Sequence, residues 1–477
     1  MTDLISEAVG GRVVACNDEF FAEAHNLLHS ADPVWKEDVY TDRGKWMDGW
    51  ETRRRREPGH DWCVIALGVA GRIRSVTVDT SHFTGNYPES FSLEACGVGG
   101  DERLETTDWV EIIPRAPLDG DAKASFEVDD PHRVTHVRLN IFPDGGVARL
   151  RLDGDPIPAR HEVCPDDESI DLASSVVGGE AIDASDVHYS PPSNLLRPTE
   201  PAGMWDGWET KRRRGPGNDW AVFRLGLPGV VDSLDVDTRH FKGNAPGWVS
   251  VQVSNEGQTW EEVVDRAEVK PDTVNLVTLD HPAQAAFIRL DIHPDGGVAR
   301  LRVKGRPDQE GAERLRLLYL NALFDEEARR FFHTACAATT WVGEMLASRP
   351  FADGEAVLAA ARAAFDAFGE DDWLEAFAGH PRIGERGDRQ TDQEQSGTAD
   401  AEASLLSGLA EANKEYEATH GFTYIVYASG KTAQEMLDIA RSRIGNMREE
   451  EMVNAAVEQR AITETRLRRM LCLGDAR

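Results

Sequence analysis

Cysteines are few in this chain, and long apolar runs are lacking. The six cysteines among 477 residues are scattered and form no Cys-x-x-Cys pair, which argues against a disulfide framework or a zinc–cysteine site and fits a reducing compartment. The longest apolar stretch, near residues 62–70, is far short of the ~20 residues that a membrane span needs. Residues 1–10 lack a basic segment followed by an apolar one, so we expect no signal peptide and a cytoplasmic protein.

Positive charge is also scarce. The chain holds 52 Lys and Arg against 84 Asp and Glu, a formal net charge of −32. Such a balance disfavours nucleic acid and anionic membranes as partners. It leaves an anionic small molecule open as a substrate, because a local group of arginines can attract an anion into one cleft. With 40% hydrophobic residues at this length, we expect a globular protein of roughly three domains.

The most informative feature is an internal repeat. Residues 48–56 (DGWETRRRR) return 158 positions later as residues 206–214 (DGWETKRRR), and residues 79–86 (DTSHFTGN) return at the same offset as 237–244 (DTRHFKGN). Residues 143–150 (PDGGVARL) recur unchanged as 294–301, at an offset of 151. Packing alone requires only that the apolar pattern be kept. The retained Asp, His, Asn and Arg therefore predict a functional site.

The period of the hydrophobic pattern divides the chain into two structural classes. Within each repeat apolar and polar residues alternate, as in residues 75–79 and 233–237, which predicts half-buried strands. From residue 315 onward the period becomes 3.6, which is typical of helices. We therefore predict two all-β jelly-roll (β-sandwich) repeats followed by an all-α helical bundle. The predicted boundaries are 1–156 for the first repeat, 157–186 for a linker, 187–307 for the second repeat, 308–314 for a short linker and 315–477 for the helical domain. Helices are expected near 325–347, 354–368, 371–378, 399–418, 432–445 and 449–471.

The basic runs are candidates for binding an anion, because the guanidinium group of arginine forms paired hydrogen bonds with a carboxylate. If each run is a strand, only alternate members face one side. The predicted members are Arg53 and Arg55 in the first repeat and Lys211 and Arg213 in the second. The alternative is that these side chains form ion pairs with surface carboxylates.

The repeated DTxHFxGN segments supply candidates for acid–base chemistry or for binding a metal. Imidazole and carboxylate ligands suit Mn²⁺ or Zn²⁺, although Asp and Asn also form turns with their own backbone. The candidates are Asp79, His82 and Asn86 in the first repeat and Asp237, His240 and Asn244 in the second. Only Asp79, His82, Asp237 and His240 are considered as metal ligands, and no metal is assigned firmly. Glu51 and Glu209, which follow Trp at matched positions, are further acid–base candidates.

These repeat motifs resemble allantoicase, which hydrolyses allantoate to (S)-ureidoglycolate and urea. The resemblance rests on the WMDGWETRRRR and DTSHFTGN strings and spans both repeats. It implies two jelly-roll repeats per chain and association into a homo-oligomer.

The helical part resembles OHCU decarboxylase, which converts 2-oxo-4-hydroxy-4-carboxy-5-ureidoimidazoline (OHCU) to (S)-allantoin. The resemblance rests on residues 348–351 (SRPF), 380–384 (HPRIG), 391–395 (TDQEQ) and 422–428 (FTYIVYA), with Arg466 near the end. The stretch between His380 and Glu394 is shorter than is usual in that family, which puts the local loop in doubt. Together the two resemblances imply a bifunctional enzyme of ureide breakdown acting on allantoate and OHCU.

The second resemblance implies a site for decarboxylation without a cofactor, because the imine and carbonyl groups of OHCU can accept the electron pair that CO₂ leaves. His380 is the expected acid–base, since imidazole exchanges a proton near neutral pH. Glu394 is the second expected catalytic residue, and Arg466 is expected to pair with the departing carboxylate or a ring carbonyl. The expected substrate-binding residues are Pro381, Thr391, Asp392, Gln393, Gln395, Tyr424, Ile425, Val426, Tyr427, Ala428 and Arg466.

Three alternatives stay open at this point. In the first, the repeats are ligand-binding modules attached to a single active decarboxylase, since fold alone does not separate binding modules from enzymes. In the second, only one repeat is active. In the third, the fusion is a scaffold for a pathway neighbour such as allantoinase, whose reaction lies between the two expected activities.

Overall fold

The computed structural model describes residues 2–98, 104, 107–159, 169–381 and 403–473. The chain forms two compact units, Met1–Phe324 and Asp325–Arg477. The first unit is mostly β structure and contains both repeats, and the second is helical. The change of period in the sequence therefore predicts the order of the two structural classes correctly.

The first repeat is built around one long strand, β6. Its 19 residues largely alternate between buried and half-buried positions through the second half. The strands of this repeat are β1 (Thr2–Asp3), β2 (Arg12–Cys16), β3 (Tyr40–Thr41), β4 (Gly44–Lys45), β5 (Trp50–Glu51), β6 (Asp61–Asp79), β7 (Ser90–Cys96), β8 (Val110–Pro117), β9 (Lys123–Glu127), β10 (Val134–Phe142), β11 (Gly146–Val147) and β12 (Arg149–Pro156).

Strand β6 pairs with different neighbours along its length. Its first part lies between β2 and β10, and its second part lies between β9 and β12, all antiparallel. The sheet order is β1-β12-β6-β10-β7-β8. Alternate residues of these strands form one apolar core, in which Ile65, Val76 and Leu139 are fully buried. Burying such side chains stabilises the repeat by ~1.5–3 kcal/mol each.

The second repeat has the same strand order. Its strands are β13 (Ile170–Asp171), β14 (Glu180–Ala184), β15 (Trp208–Glu209), β16 (Asp219–Asp237), β17 (Trp248–Ser254), β18 (Glu261–Glu268), β19 (Val274–His293), β20 (Gly297–Val298) and β21 (Arg300–Pro307). The sheet order β13-β21-β16-β19-β17-β18 matches that of the first repeat strand for strand. The single strand β19 covers the stretch that β9 and β10 share in the first repeat.

Each repeat carries a short two-stranded ladder beside its main sheet. Strand β5 pairs with β11, which sets Glu51 opposite Gly146. Strand β15 pairs with β20, which sets Glu209 opposite Gly297. The repeated DGWET and PDGGV motifs are therefore neighbours in space in both repeats.

Eight α-helices follow in the described residues: α1 (Gln309–Ala322), α2 (Asp325–Ala335), α3 (Thr339–Ala347), α4 (Gly354–Ala364), α5 (Glu370–Ala378), α6 (Ala403–His420), α7 (Ala433–Ile444) and α8 (Arg448–Met470). Helix α1 covers most of the stretch predicted to be the second linker and belongs to the first unit. Its last carbonyl, at Ala322, accepts a 2.6 Å hydrogen bond from the backbone N–H of Arg133. The predicted helix at 325–347 is divided into α2 and α3.

The helical unit has its own apolar core. Phe377, Leu409, Tyr416 and Met436 are fully buried and come from three different helices. No helix in the described part of the chain combines the length and the apolar character that crossing a membrane requires.

The state of the cysteines differs in part from expectation. Cys16, Cys63, Cys96 and Cys336 are free thiols, whereas Cys472 is disulfide-bonded. Among the cysteines that the structure describes, one bonded residue beside four free thiols does not make a disulfide framework.

Candidate active sites

A cleft of about 780 Å³ opens beside β5 in the first repeat. Its walls are residues 51–56, 85–87 and 143–145, together with Phe20, Phe21 and Glu89. All three repeated motifs thus contribute to one concave surface. The sequence predicted that these motifs carry a site, and the fold brings them together.

The PDGG turn is held against the WETRRRR segment by reciprocal hydrogen bonds. The N–H of Thr52 donates to the carbonyl of Gly145, and the N–H of Gly145 donates to Oγ1 of Thr52, both at 3.1 Å. Gly145 has a φ of 145°, and a Cβ there would lie 2.6 Å from the backbone nitrogen of Pro88. Only glycine fits this turn. Asp144 accepts a 2.8 Å hydrogen bond from the N–H of Arg55, so its carboxylate also orders the loop.

Glu51 faces the cleft and has one specific partner. The side-chain amide of Asn86 donates a 2.7 Å hydrogen bond to Oε1 of Glu51. Burial raises the pKa of Glu51 above its ordinary value, and the bond from Asn86 opposes part of that rise. A carboxylic acid with a raised pKa can exchange a proton closer to neutral pH, which suits general acid–base chemistry.

The conformation of the basic run differs from the strand on which the choice of Arg53 and Arg55 depends. Residues 52–56 are not a strand, so the alternation rule does not apply, and all four arginines line the cleft. Arg53 forms a 2.6 Å ion pair with Asp18, and Arg55 forms one of the same length with Asp61. Arg54 and Arg56 have no hydrogen bond or ion pair to any residue in the described part of the chain. The cations that are available to an anion are therefore the two that the sequence did not favour.

The second repeat reproduces this arrangement. Asn244 donates a 2.7 Å hydrogen bond to Glu209, Lys211 forms a 3.3 Å ion pair with Asp186, and Arg213 pairs with Asp219. Within the described ranges Arg212 and Arg214, like their counterparts, have no such partner.

Asp79 and His82 lie outside the walls of the cleft. Oδ1 of Asp79 accepts a 2.8 Å hydrogen bond from the N–H of Ser81, and Oδ2 lies 3.4 Å from the ammonium group of Lys123. His82 has a φ of 70°, and its Nε2 donates to the carbonyl of Pro33 at 3.2 Å. These contacts hold the loop that carries Asn86.

The second copies behave in the same way. Asp237 forms a 2.6 Å ion pair with Arg239, and Nε2 of His240 donates to the carbonyl of Pro201 at 2.9 Å. Neither the pair Asp79 and His82 nor its copy meets a third His, Cys, Asp or Glu ligand among the described residues. A metal role for these four side chains stays a prediction.

In the helical unit, His380 follows the end of α5. Its N–H donates to the carbonyl of Phe377 at 3.1 Å, so the ring is carried on the last turn of the helix. Burial, and then the nearby positive charge of Arg466, lower the pKa of His380 to about 4, while the side chain of Gln459 acts in the opposite direction. The imidazole is therefore neutral at neutral pH and can accept a proton.

Helix α8 supplies two polar residues that sequence reasoning missed. Gln459 and Thr463 are buried, and the amide of Gln459 donates to Oγ1 of Thr463 at 3.1 Å. Residues 459, 463 and 466 recur at intervals of four and three and so share one helix face. Polar residues on an otherwise apolar helix stripe are the signal that could have identified them.

The segment from Tyr424 to Ala428 belongs to no helix or strand, and much of its backbone is already bonded. The carbonyl of Ile425 accepts from Arg443, the N–H of Tyr427 donates to Glu458, and the carbonyl of Ala428 accepts from the N–H of Lys431. Tyr424 and Val426 are buried within the same segment. Fewer backbone groups are thus available to a substrate than the sequence implied.

Arg443 forms a buried 2.8 Å ion pair with Glu451. Of the other predicted site residues, Pro381 is partly buried beside His380. Thr391, Asp392, Gln393, Glu394 and Gln395 lie outside the described residues.

Comparison with known proteins assigns a family to each part of the chain. The allantoicase repeat model matches residues 2–157 and 170–308, and the OHCU decarboxylase model matches residues 321–468. A probable allantoicase of Pseudomonas paraeruginosa is 44% identical over 318 residues, which cover 64% of this chain and 96% of the relative. A probable allantoicase of Acinetobacter baylyi is 40% identical over 320 residues, covering 64% and 94%.

Two solved structures are similar to parts of this chain, and the first of them agrees with the allantoicase model. The crystal structure of allantoicase from Saccharomyces cerevisiae is 37% identical, covers 64% of this chain and 92% of that chain, and superposes with a TM-score of 0.55. A crystal structure of OHCU decarboxylase in the presence of (S)-allantoin is 34% identical, covers 31% of this chain and 99% of that chain, and has a TM-score of 0.28. The chain belongs to the allantoicase family and carries, after its two allantoicase repeats, an OHCU decarboxylase domain.

Proposed function

We propose that the cleft beside β5 and its copy in the second repeat hydrolyse allantoate to (S)-ureidoglycolate and urea, and that the helical unit decarboxylates OHCU to (S)-allantoin. The two family assignments make the chain a bifunctional enzyme of ureide breakdown with small-molecule substrates. One observation carries the first half of the proposal. In each repeat a glutamate that accepts a hydrogen bond from an asparagine lies on the same motif as two arginines that have no partner within the described ranges.

The chemistry of allantoate matches these groups. Allantoate carries a carboxylate and two ureido groups on one carbon. Hydrolysis breaks one C–N bond, joins the oxygen of water to that carbon and releases urea. In the proposal Arg54 and Arg56 bind the carboxylate, since guanidinium groups form paired hydrogen bonds with it. Glu51 accepts the proton of the attacking water and returns it to the leaving nitrogen, and Asn86 orients Glu51.

The remaining predicted residues of the repeats have supporting roles in this proposal. Arg53 and Arg55 fix the segment that carries the free arginines through Asp18 and Asp61. Asp79 and His82 hold the neighbouring loop, and their copies do the same in the second repeat. A divalent metal, Mn²⁺ or Zn²⁺, stays an alternative means of activating water.

For the decarboxylation, the ring groups of OHCU accept the electron pair as CO₂ leaves, and a proton is then added on one face. His380 handles that proton, because a buried neutral imidazole beside Arg466 is ready to receive and return one. Arg466 pairs with the departing carboxylate. Glu394 and Gln395 hold the ureido and ring groups. No cofactor is required in this scheme.

We also propose a fold for each unit, an oligomeric state and a cellular location. Each repeat is a jelly roll, which is supported by long strands that pair with two sets of neighbours, and the helical unit is a bundle. The family resemblance supports a homo-oligomer. A cytoplasmic location and association with a pathway neighbour such as allantoinase stay predictions.

One experiment tests the hydrolase. The purified full-length chain is incubated with allantoate, with and without prior chelation, and urea release is followed. Urea that persists after chelation supports acid–base chemistry at Glu51 and Glu209. Urea that is lost on chelation and restored by Mn²⁺ favours the metal alternative. If no urea forms with any added metal ion, the proposed hydrolase activity is absent. The repeats are then ligand-binding modules attached to a single active decarboxylase.

A further inference from the structure

Three metal-binding side chains meet on the first repeat, away from the cleft. Nε2 of His25 lies 3.5 Å, and Nε2 of His29 lies 3.7 Å, from the same carboxylate oxygen of Glu7. The two rings contact each other edge to face, with centroids 5.6 Å apart. All three ligand atoms lie within 4.8 Å of one another. In the part of the chain that the structure describes, no other group of three His, Cys, Asp or Glu side chains meets this standard.

The local fold holds these side chains in place. Glu7 begins the 3-10 helix Glu7–Val9, His25 lies in the 3-10 helix Ala24–Leu28, and His29 caps the end of that helix. The hydroxyl of Ser6, which caps the first helix, is 3.0 Å from the hydroxyl of Ser30. The two short helices are therefore tied together beside the three ligands.

The spacing fits a transition metal. In a tetrahedral zinc site with bonds of ~2.0–2.2 Å, ligand atoms lie roughly 3.4 Å apart. The distances of 3.5 and 3.7 Å are close to that value. Imidazole and carboxylate ligands suit Zn²⁺, Co²⁺ and related ions. We propose that Glu7, His25 and His29 form a divalent transition-metal site that clasps the two short helices and is separate from both active sites.

The second repeat shows that packing does not require these residues. The same two 3-10 helices recur there as Ser175–Val177 and Pro192–Leu196. At an offset of 168, the positions of Glu7, His25 and His29 are occupied by Ser175, Ser193 and Arg197. The helices thus form without any of the three ligands. All three ligands occur together in one copy only, which is expected for a site and not for a packing motif.

The charges around Glu7, His25 and His29 do not prevent a cation from binding there. Arg197 is near enough for the carboxylate of Glu7 to act on its pKa, but its guanidinium pairs with Asp206. This positive charge is therefore largely offset. None of the three ligands lines the cleft of the first repeat, so the ion would stabilise the fold by mass action and take no part in hydrolysis.

Zinc binding by the metal-stripped full-length chain tests this proposal. Zn²⁺ is titrated by calorimetry, and Co²⁺ is added separately to record visible absorption. We expect one site in the wild type that H25A and H29A weaken at least ~100-fold, because loss of even an indirect partner of a metal ligand costs ~10–100-fold. The matched control is H281A, since His281 forms an exposed 3.5 Å pair with Glu261 and lacks a third ligand.

Two results would overturn the proposal. The first is Zn²⁺ affinity that is the same in wild type, H25A and H29A. The second is loss of urea release together with Zn²⁺ in these variants, which would make the ion part of catalysis. The expected result is that Zn²⁺ raises the melting temperature of the wild type and of H281A but not of H25A, while all three release urea at the same rate. Because this readout does not depend on the hydrolase mechanism, failure of the metal site and failure of the proposed function are distinguishable.

Discussion

Asn86 donates a 2.7 Å hydrogen bond to Glu51, although the two residues lie 35 positions apart in the sequence. The copy, from Asn244 to Glu209, has the same length and the same separation. An amide that donates to a partly buried carboxylate orients it and limits the rise of its pKa. The duplicated pair is therefore the best structural marker of the hydrolase sites.

Variants of the two glutamates separate one shared site from two independent sites. If each repeat holds a complete site, E51Q halves urea release, and the E51Q/E209Q double variant loses about 10²–10⁴-fold, the usual contribution of a general acid–base group. Glutamine keeps an oxygen that can accept from Asn86, so folding is preserved. Steady-state kinetics with allantoate measures the effect. A complete loss in E51Q alone would mean that both copies form one site.

The unpaired arginines should control substrate binding. We expect R54A/R212A and R56A/R214A to lower kcat/KM for allantoate by about 10–100-fold, since a hydrogen bond to a charged group contributes ~1.5–3 kcal/mol. The control is R74A, which removes a surface ion pair with Asp155 and should leave kcat/KM unchanged. An unaltered KM in both double variants would remove these arginines from the anion site.

Decarboxylation should tolerate mild acid. The pKa of His380 is lowered to about 4, so the neutral, proton-accepting imidazole persists well below pH 6. We expect the rate of (S)-allantoin formation to stay level from pH 7 to about 5 and to fall as the pH approaches 4. Circular dichroism of the product follows the reaction. The variant H380N should lose about 10²–10⁴-fold, and a wild-type rate that falls near pH 6.5 would contradict the assignment.

Asp171 should make the protein less stable as the pH rises. Burial raises its pKa from 3.8 to about 6 despite the opposing charge of Arg302. The folded state therefore binds the proton more tightly than the unfolded state, and this stabilisation is present below pH 4 and is lost as the pH rises through 6.

The variant D171N mimics the neutral acid and keeps an oxygen that can accept from the N–H of Val303. We expect it to be more stable than the wild type at pH 7.5, by about 1–2 kcal/mol, as measured by urea denaturation. The control is D129N, because Asp129 is fully exposed. Equal stability of D171N and wild type at both pH 4 and pH 7.5 would refute the expectation.

The retained polar residues of the repeat turn out to have two different uses. Asp48 forms a 2.9 Å ion pair with the buried Arg149, and the copy pairs Asp206 with Arg300. The indole of Trp50 donates to the carbonyl of Asp18 at 2.8 Å, and in the second repeat the indole of Trp208 donates to the carbonyl of Asp186 at the same distance. These contacts hold the loops around the cleft. Repetition of a polar residue therefore does not by itself indicate contact with substrate.

The sequence alone determined the two structural classes, their order, the duplication and the motifs that form the cleft, because hydrophobic period and repeated strings are local properties. Only the tertiary structure decided which members of each motif are available. Arg53 and Arg55 are committed to Asp18 and Asp61, and His82 to a backbone carbonyl, whereas Arg54 and Arg56 have no such partner in the described residues. The physical reason is that a side chain's availability depends on partners that approach from distant parts of the chain, and these partners exist only once the strands have paired.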